Sequence, residues 1–257
     1  MKKIALVTGA SSGIGLELSR LLAQDTNDLV IVARHAEALE LVAQELEQEY
    51  QIKVYPFAQD LSKPEAPRVI FDFLQTHNLE VEILINNAGF ATHGAFAESN
   101  PEQEMAMLEV NIKALTHLTR LALRQMLRNG QGRILNLAST AAFQPGPFMA
   151  GYYASKAFVL SFSEALANEV RGSGLTVTVL CPGPTKTNFA KRAGIEGSIL
   201  FNSLRVMEAA SVAKIGYRAM LAGKPVVIAG HFNTVATTLM RLAPRGLAGR
   251  FARMMQE

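Results

Sequence analysis

The chain has 257 residues, 49% hydrophobic and 18% charged, a balance that can bury a large core and excludes an intrinsically disordered chain. A net charge of +3 is too small to mark a nucleic-acid binder. The single cysteine, Cys181, excludes an intrachain disulfide, and no Cys/His spacing suits a structural zinc site.

The first apolar run, residues 4–8, closes at Gly9. It is too short for a secretory leader and predicts a buried strand. No stretch is long enough to span a bilayer, so a cytoplasmic protein is expected. Residues 16–24 follow as a helix with Leu18, Leu21 and Leu22 on one face. Residues 29–33 are a second strand, and 37–50 a helix with Leu39, Val42, Ala43 and Leu46 at helical spacing. A strand at 52–57, a helix within 63–77 and a strand at 82–86 continue the alternation. A long helix over 102–128, a strand at 133–138, a second long helix over 150–170 and a strand at 176–180 come next. Residues 184–208 hold a segment of weak periodicity that reads as a mobile substrate flap. A helix at 212–221 and a short strand at 226–229 precede a helical tail over 231–257. The tail is broken at Pro244 and Gly246, then places Leu247, Phe251, Met254 and Met255 on one face. Arg241, Arg245, Arg250 and Arg253 flank it, so it either packs on the core, flap or a partner subunit, or touches a membrane surface.

Apolar strands alternating with helices predict an α/β fold as one domain over residues 1–257. The expected architecture is a doubly wound, Rossmann-type parallel sheet of about seven strands with helices on both faces.

Between the first strand and first helix stands Gly9-Ala10-Ser11-Ser12-Gly13-Ile14-Gly15. Glycines allow a tight turn and let backbone N–H groups approach a pyrophosphate. The helix N-terminus adds partial positive charge, and Ser11 and Ser12 add hydroxyl donors. At the end of the second strand, where an acid would receive the ribose hydroxyl of NAD, the chain carries Arg34. A guanidinium there can pair with a ribose phosphate, so NADP(H) is the expected cofactor; a solvated loop arginine is the bland alternative.

Tyr152 and Lys156 are spaced i, i+4 on the second long helix and share a face. An ammonium beside a phenol lowers its proton affinity and fits it for acid–base work. Ser139 follows a strand at the carboxyl edge of the sheet, where it can hold a substrate oxygen or cap a turn. Asn86-Asn87-Ala88-Gly89 ends the fourth strand at the same edge. Asn111 lies inside the long helix, where Asn is mildly unfavourable. Residues 90–96, 141–151 and the flap supply Phe90, Phe96, Phe143, Phe148, Met149, Phe189 and Phe201, an apolar pocket lining. His93 at this rim reads as an ordinary loop histidine, and Cys181 as a small buried hydrophobe.

Together these residues resemble the short-chain dehydrogenase/reductase superfamily, in its shorter type. The motifs run in order: Thr8-Gly9-x-x-x-Gly13-x-Gly15, Asp60, Asn86-Asn87-Ala88-Gly89, Asn111, Ser139, Tyr152-x-x-x-Lys156 and Pro182-Gly183. The resemblance implies hydride transfer between NADP(H) and a carbonyl or alcohol on a small molecule. It implies that Tyr152 is the acid/base, that Ser139 orients the carbonyl oxygen and that Lys156 binds the nicotinamide ribose and tunes Tyr152. Asn111 would hold a water of a proton path. Asp60, with Leu61, would meet the adenine edge, and Asn87, Ala88 and Gly89 would line the ribose. Pro182, Gly183, Thr187 and Thr185 would seat the nicotinamide. It also implies a homodimer or homotetramer built on the two long helices. The rival expectation is a non-catalytic dinucleotide-binding scaffold, whose mark would be a missing Tyr, Lys or Ser; all three are present.

Overall fold

A computed structural model describes residues 1–195 and 206–242. Residues 196–205, with Phe201, and the tail expected over 243–257 lie outside the described residues. The first half runs β1 (Lys2–Thr8), α1 (Gly13–Gln24), β2 (Leu29–Ala33), α2 (Ala36–Tyr50), β3 (Val54–Ala58), α3 (Ala66–Thr76) and β4 (Leu79–Asn86). Next come α4 (Pro101–Leu108), α5 (Leu115–Asn129), β5 (Gly132–Leu137), α6 (Ala150–Glu169) and β6 (Leu175–Cys181). The remainder is β7 (Thr185–Lys186), α7 (Phe189–Ala193), β8 (Met207–Glu208), α8 (Ala209–Leu221), β9 (Val226–Ile228) and α9 (His231–Leu242).

Seven strands form one parallel sheet in the order β3-β2-β1-β4-β5-β6-β9. Its strands are apolar because both faces are covered. On one face, Leu18 and Leu22 of α1, Leu39 and Leu46 of α2, and Val212 and Met220 of α8 pack on Val7, Ile31 and Ile85. On the other, Ile70 of α3, Leu118 and Met126 of α5, and Leu166 of α6 pack on Leu6, Leu84 and Ile134. The alternation of Leu6 and Val7 between the two clusters is the strand's period of two. Strand order reverses between β1 and β4, so the turns leaving their carboxyl ends diverge and open a crevice there.

Two elements differ from the sequence reading. The long helix expected over 102–128 is not uniformly α: a π-helical turn, Glu109–Ala114, separates α4 from α5. The mouth of the flap is a small parallel ladder rather than irregular chain, with Thr185 opposite Met207 and Lys186 opposite Glu208. Lys186 Nζ lies 2.5 Å from Glu208 Oε1 across it. Strands this short carry no periodicity, which is why the pattern missed them. Among the described residues no helix is long and apolar enough to cross a membrane.

Candidate active site

The crevice is a cleft of about 340 Å³ lined from the carboxyl ends of β1, β2, β4, β5 and β6. The predicted glycine turn forms one wall. Gly9 and Gly13 take left-handed backbone conformations, with φ of 67° and 58°. A Cβ on Gly9 would lie 2.6 Å from Asn87 Nδ2, and one on Gly13 would lie 2.9 Å from Thr187 Cγ2. Gly15 sits under the turn rather than in the cleft; a Cβ there would fall 2.3 Å from the Gly9 carbonyl oxygen. Ser11, Ser12, Gly13 and Ile14 line the cleft. Ser12 stands at the N-cap of α1, yet its hydroxyl makes no capping bond. The turn thus presents free hydroxyls and the unpaired N–H groups of a first helical turn, which fits an anionic phosphate.

Asn87 ties this turn to the end of β4. Its Nδ2 donates to the carbonyls of Thr8 at 2.9 Å and Gly9 at 3.0 Å. Thr8 Oγ1 accepts from the Asn87 and Ala88 N–H groups, both at 3.1 Å. Both amide hydrogens of Asn87 are therefore spent on the protein, which makes it a brace of the cleft wall beside Ala88 and Gly89. At the far end Arg34, Asp60 and Leu61 line the cleft together. Burial pushes the Asp60 carboxyl up, but hydrogen bonds from Ser62 and the charges of Arg34 and Lys63 outweigh it and hold Asp60 below the usual range. Ser62 N–H reaches Asp60 Oδ1 at 3.0 Å.

Ser139, Tyr152 and Lys156 meet at the end of β5. Ser139 caps a short turn, its Oγ accepting from Ala141 N–H at 3.1 Å and donating to the Pro182 carbonyl at 3.4 Å, and it lines the cleft beside Tyr152. The capping role foreseen for this serine is filled. Lys156 Nζ donates to the Leu137 carbonyl at 2.9 Å and lies 5.8 Å from the Tyr152 ring centroid. Burial dominates both groups. It pushes the Tyr152 phenol above its ordinary value, with the Ser139 hydrogen bond pulling the other way. It lowers Lys156 to about 8. The expected lowering of Tyr152 by Lys156 is not seen here: the ammonium is bonded to the Leu137 carbonyl, and desolvation of the phenolate dominates.

Asn111 lies on the π turn behind this triad and does not line the cleft. Its Nδ2 donates to the Phe90 carbonyl at 3.0 Å and to Ser155 Oγ at 3.1 Å, while its Oδ1 accepts from Phe90 N–H at 3.2 Å. Ser155 in turn donates to the Tyr152 carbonyl at 2.7 Å. Ser155 was missed from sequence, although it stands one turn after Gly151 on the face opposite the solvent. Pro182, Gly183, Thr185 and Thr187 form the last wall. Thr185 Oγ1 bonds the Gly183 carbonyl at 2.9 Å, and Thr187 Oγ1 accepts from Phe189 N–H at 3.2 Å. Asn233 of α9 packs so closely on Gly183 that a Cβ there would lie 2.4 Å from Asn233 Nδ2. No local motif signals Asn233; only the docking of α9 brings it here.

The apolar lining is narrower than expected. Phe90, Met149 and Phe189 line the cleft, and the Phe189 ring lies 5.4 Å from that of Tyr152. Phe96 is 66% exposed and stands outside it. Phe143 packs toward β6 and β9, and Phe148 faces His93 at the rim, 6.3 Å between rings. Their aromatic character alone could not separate cleft wall from core and rim. Cys181 is buried, as a small hydrophobe would be.

The family model described as short chain dehydrogenase matches residues 3–196. The chain is 40% identical over 186 residues to a 2-dehydro-3-deoxy-D-gluconate 5-dehydrogenase of Bacillus subtilis, covering 72% of each chain. A short-chain dehydrogenase from Sphingobium yanoikuyae in complex with NADPH superposes with a TM-score of 0.84 at 31% identity, covering 96% of this chain and 95% of that one. A short chain dehydrogenase/reductase from Burkholderia phymatum in complex with NAD shares the fold, with a TM-score of 0.82 at 24% identity, over 93% and 92% of the two chains. With the motifs in order and the cleft assembled at the strand-order reversal, this chain belongs to the short-chain dehydrogenase family of oxidoreductases.

Proposed function

We propose that the protein transfers a hydride between NADP(H) and the carbonyl or alcohol carbon of a small molecule, with Tyr152 as the general acid and base. The observation that carries this reading is that Ser139, Tyr152 and Lys156 line one cleft at the carboxyl end of β5, with Lys156 Nζ 5.8 Å from the Tyr152 ring centroid. When bound, the dinucleotide supplies the hydride for reduction or receives it in oxidation. Ser139 holds the substrate oxygen against Tyr152. The Tyr152 hydroxyl gives its proton to that oxygen in reduction and takes it back in oxidation. Lys156 holds the nicotinamide ribose from the Leu137 side and stabilises the phenolate left on Tyr152. Both amide hydrogens of Asn111 are engaged with Phe90 and Ser155, so it would hold a water on a proton path behind Lys156 only through the second acceptor site of Oδ1.

Cofactor choice rests on Arg34. It directly follows β2, its charge helps lower the Asp60 carboxyl, and the residues that end β2 and follow it, Ala33 to Ala36, include no acid. The solved relatives above bind NADPH in one case and NAD in the other. Phe90, Met149 and Phe189 give the carbonyl an apolar wall. The remaining parts of the reading are a cytoplasmic protein and a homo-oligomer built on α4–α5 and α6.

A fluorescence titration with NADPH and NADH, paired with turnover on a panel of ketones and aldehydes, tests it. NADPH binds more tightly than NADH, and Arg34→Ala removes most of that preference. Tyr152→Phe lowers turnover by about 10²-fold or more while still binding NADPH. Unchanged turnover in Tyr152→Phe would move the acid role to Tyr153, which also lines the cleft. Cofactor binding without turnover of any carbonyl would favour a scaffold instead.

A further inference from the structure

The crossing of α7 over the cleft gives the substrate end a charge that its apolar wall conceals. The start of this segment touches the phosphate-binding turn, since Thr187 fills the space over Gly13. From Phe189 onward it leaves that turn: Phe189, Ala190, Ala193 and Ile195 share one cluster with Met149, Tyr152, Tyr153 and Ala91, which no residue of the turn joins. The segment therefore runs from the phosphate end of the cleft to the substrate end. Asn188, Phe189, Arg192 and Ile195 line the cleft; Phe189 and Arg192 share a face of α7 at i, i+3, and Ile195 follows the end of the helix at Gly194. Phe189 marks the level of Tyr152, with the two rings 5.4 Å apart. Arg192 stands one turn beyond Phe189, exposed at the edge of the cleft. Among the described residues the Arg192 side chain has neither an ion pair nor a hydrogen bond, whereas Lys186 on the same segment is paired with Glu208. Gln144, at the end of the turn that Ser139 caps, lines the same cleft and also has no partner.

We propose that Arg192 is a specificity residue that pairs with an anionic group, a carboxylate, on the substrate. The reactive carbonyl sits at Tyr152, an apolar stretch lies along Phe189 and Met149, and the carboxylate meets the planar fork of Arg192, with the Gln144 amide as a second donor. A guanidinium suits this because it offers two parallel donors to a carboxylate and cannot lose its charge. The substrate class is then an oxo acid with an apolar body, or the matching hydroxy acid. The inference rests on the hydride-transfer reading above for the position of the carbonyl.

The test uses medium-chain oxo acids with different carbonyl-to-carboxylate spacings, each alongside its methyl ester. NADPH-dependent turnover is measured for the wild-type protein and for Arg192→Gln, with NADPH affinity titrated separately by fluorescence. The wild type prefers the acid of at least one pair. Arg192→Gln lowers that acid-over-ester preference by about tenfold, chiefly through KM, and leaves NADPH affinity unchanged. Added salt erodes the preference in the wild type and not in the variant. Equal loss on acid and ester, or no loss, overturns the proposal. So does weaker NADPH binding with the preference intact, which would assign Arg192 to the cofactor's pyrophosphate. If no carbonyl is reduced at all, the hydride-transfer reading falls, and calorimetric binding of a hydroxy acid and its ester to both proteins still decides the role of Arg192.

Discussion

Lys156 shows how a single residue can be placed by sequence and yet be given its chemistry only by its surroundings. The i, i+4 spacing from Tyr152 puts both on one face of α6. Burial, opposed by the neighbouring Cys181, then lowers Lys156 to about 8. Below that pH the group is an ammonium, and above it the charge is lost. NADPH affinity and kcat/KM of the free enzyme should therefore decline as pH rises through about 8. A fluorescence titration at stepped pH values reads this directly. Lys156→Met should bind weakly throughout and show no such alkaline limb. A limb that persisted in the variant would have to be assigned to another group. Tyr152 behaves in the opposite sense, since burial raises its proton affinity and keeps the phenol protonated and ready to act as an acid at neutral pH. The residues were readable one by one; the desolvation that sets their proton affinities was not, because it depends on every group packed around them.

At the scale of elements, the phosphate turn is the part the sequence describes best. Its conformation follows from local sterics, namely positive φ at Gly9 and Gly13 and close approach at Gly15. Gly15→Ala would push a Cβ to 2.3 Å from both the Gly9 carbonyl oxygen and Asn87 Nδ2, atoms that cannot swing aside. The expected result is a loss of about 1–3 kcal/mol in stability and of NADPH binding, checked by urea unfolding and titration. An unaltered turn in the variant would mean the backbone relaxes more than this geometry allows. The π turn was foreshadowed only by an awkward Asn within a helix. Its extra residue aims Asn111 at Phe90 and Ser155, contacts made across elements. The ladder at the flap mouth was invisible for a similar reason, since Thr185–Lys186 and Met207–Glu208 pair with each other rather than with chain neighbours.

Across the whole molecule, the two helical layers leave apolar side chains facing outward on α4, α5 and α6. Met105 is 58% exposed, Leu127 48% and Phe158 39%. Phe158 stacks on Phe162 with ring centres 5.6 Å apart. Light scattering should find a dimer or tetramer, and Met105→Glu with Phe158→Glu should shift it to monomer without unfolding it. A monomeric wild type would remove the assembly from the reading. The sequence by itself determined the doubly wound α/β architecture, the glycine turn, and the Ser139, Tyr152 and Lys156 set. These follow from periodicity, backbone sterics and short-range spacing, all of which act along the chain. Only the tertiary structure decided which phenylalanines line the cleft, that Asn87 is a brace, that Asn233 presses on Gly183 and that Arg192 lines the cleft. Those assignments depend on which elements pack side by side, and packing is settled by the whole sheet and its two layers at once.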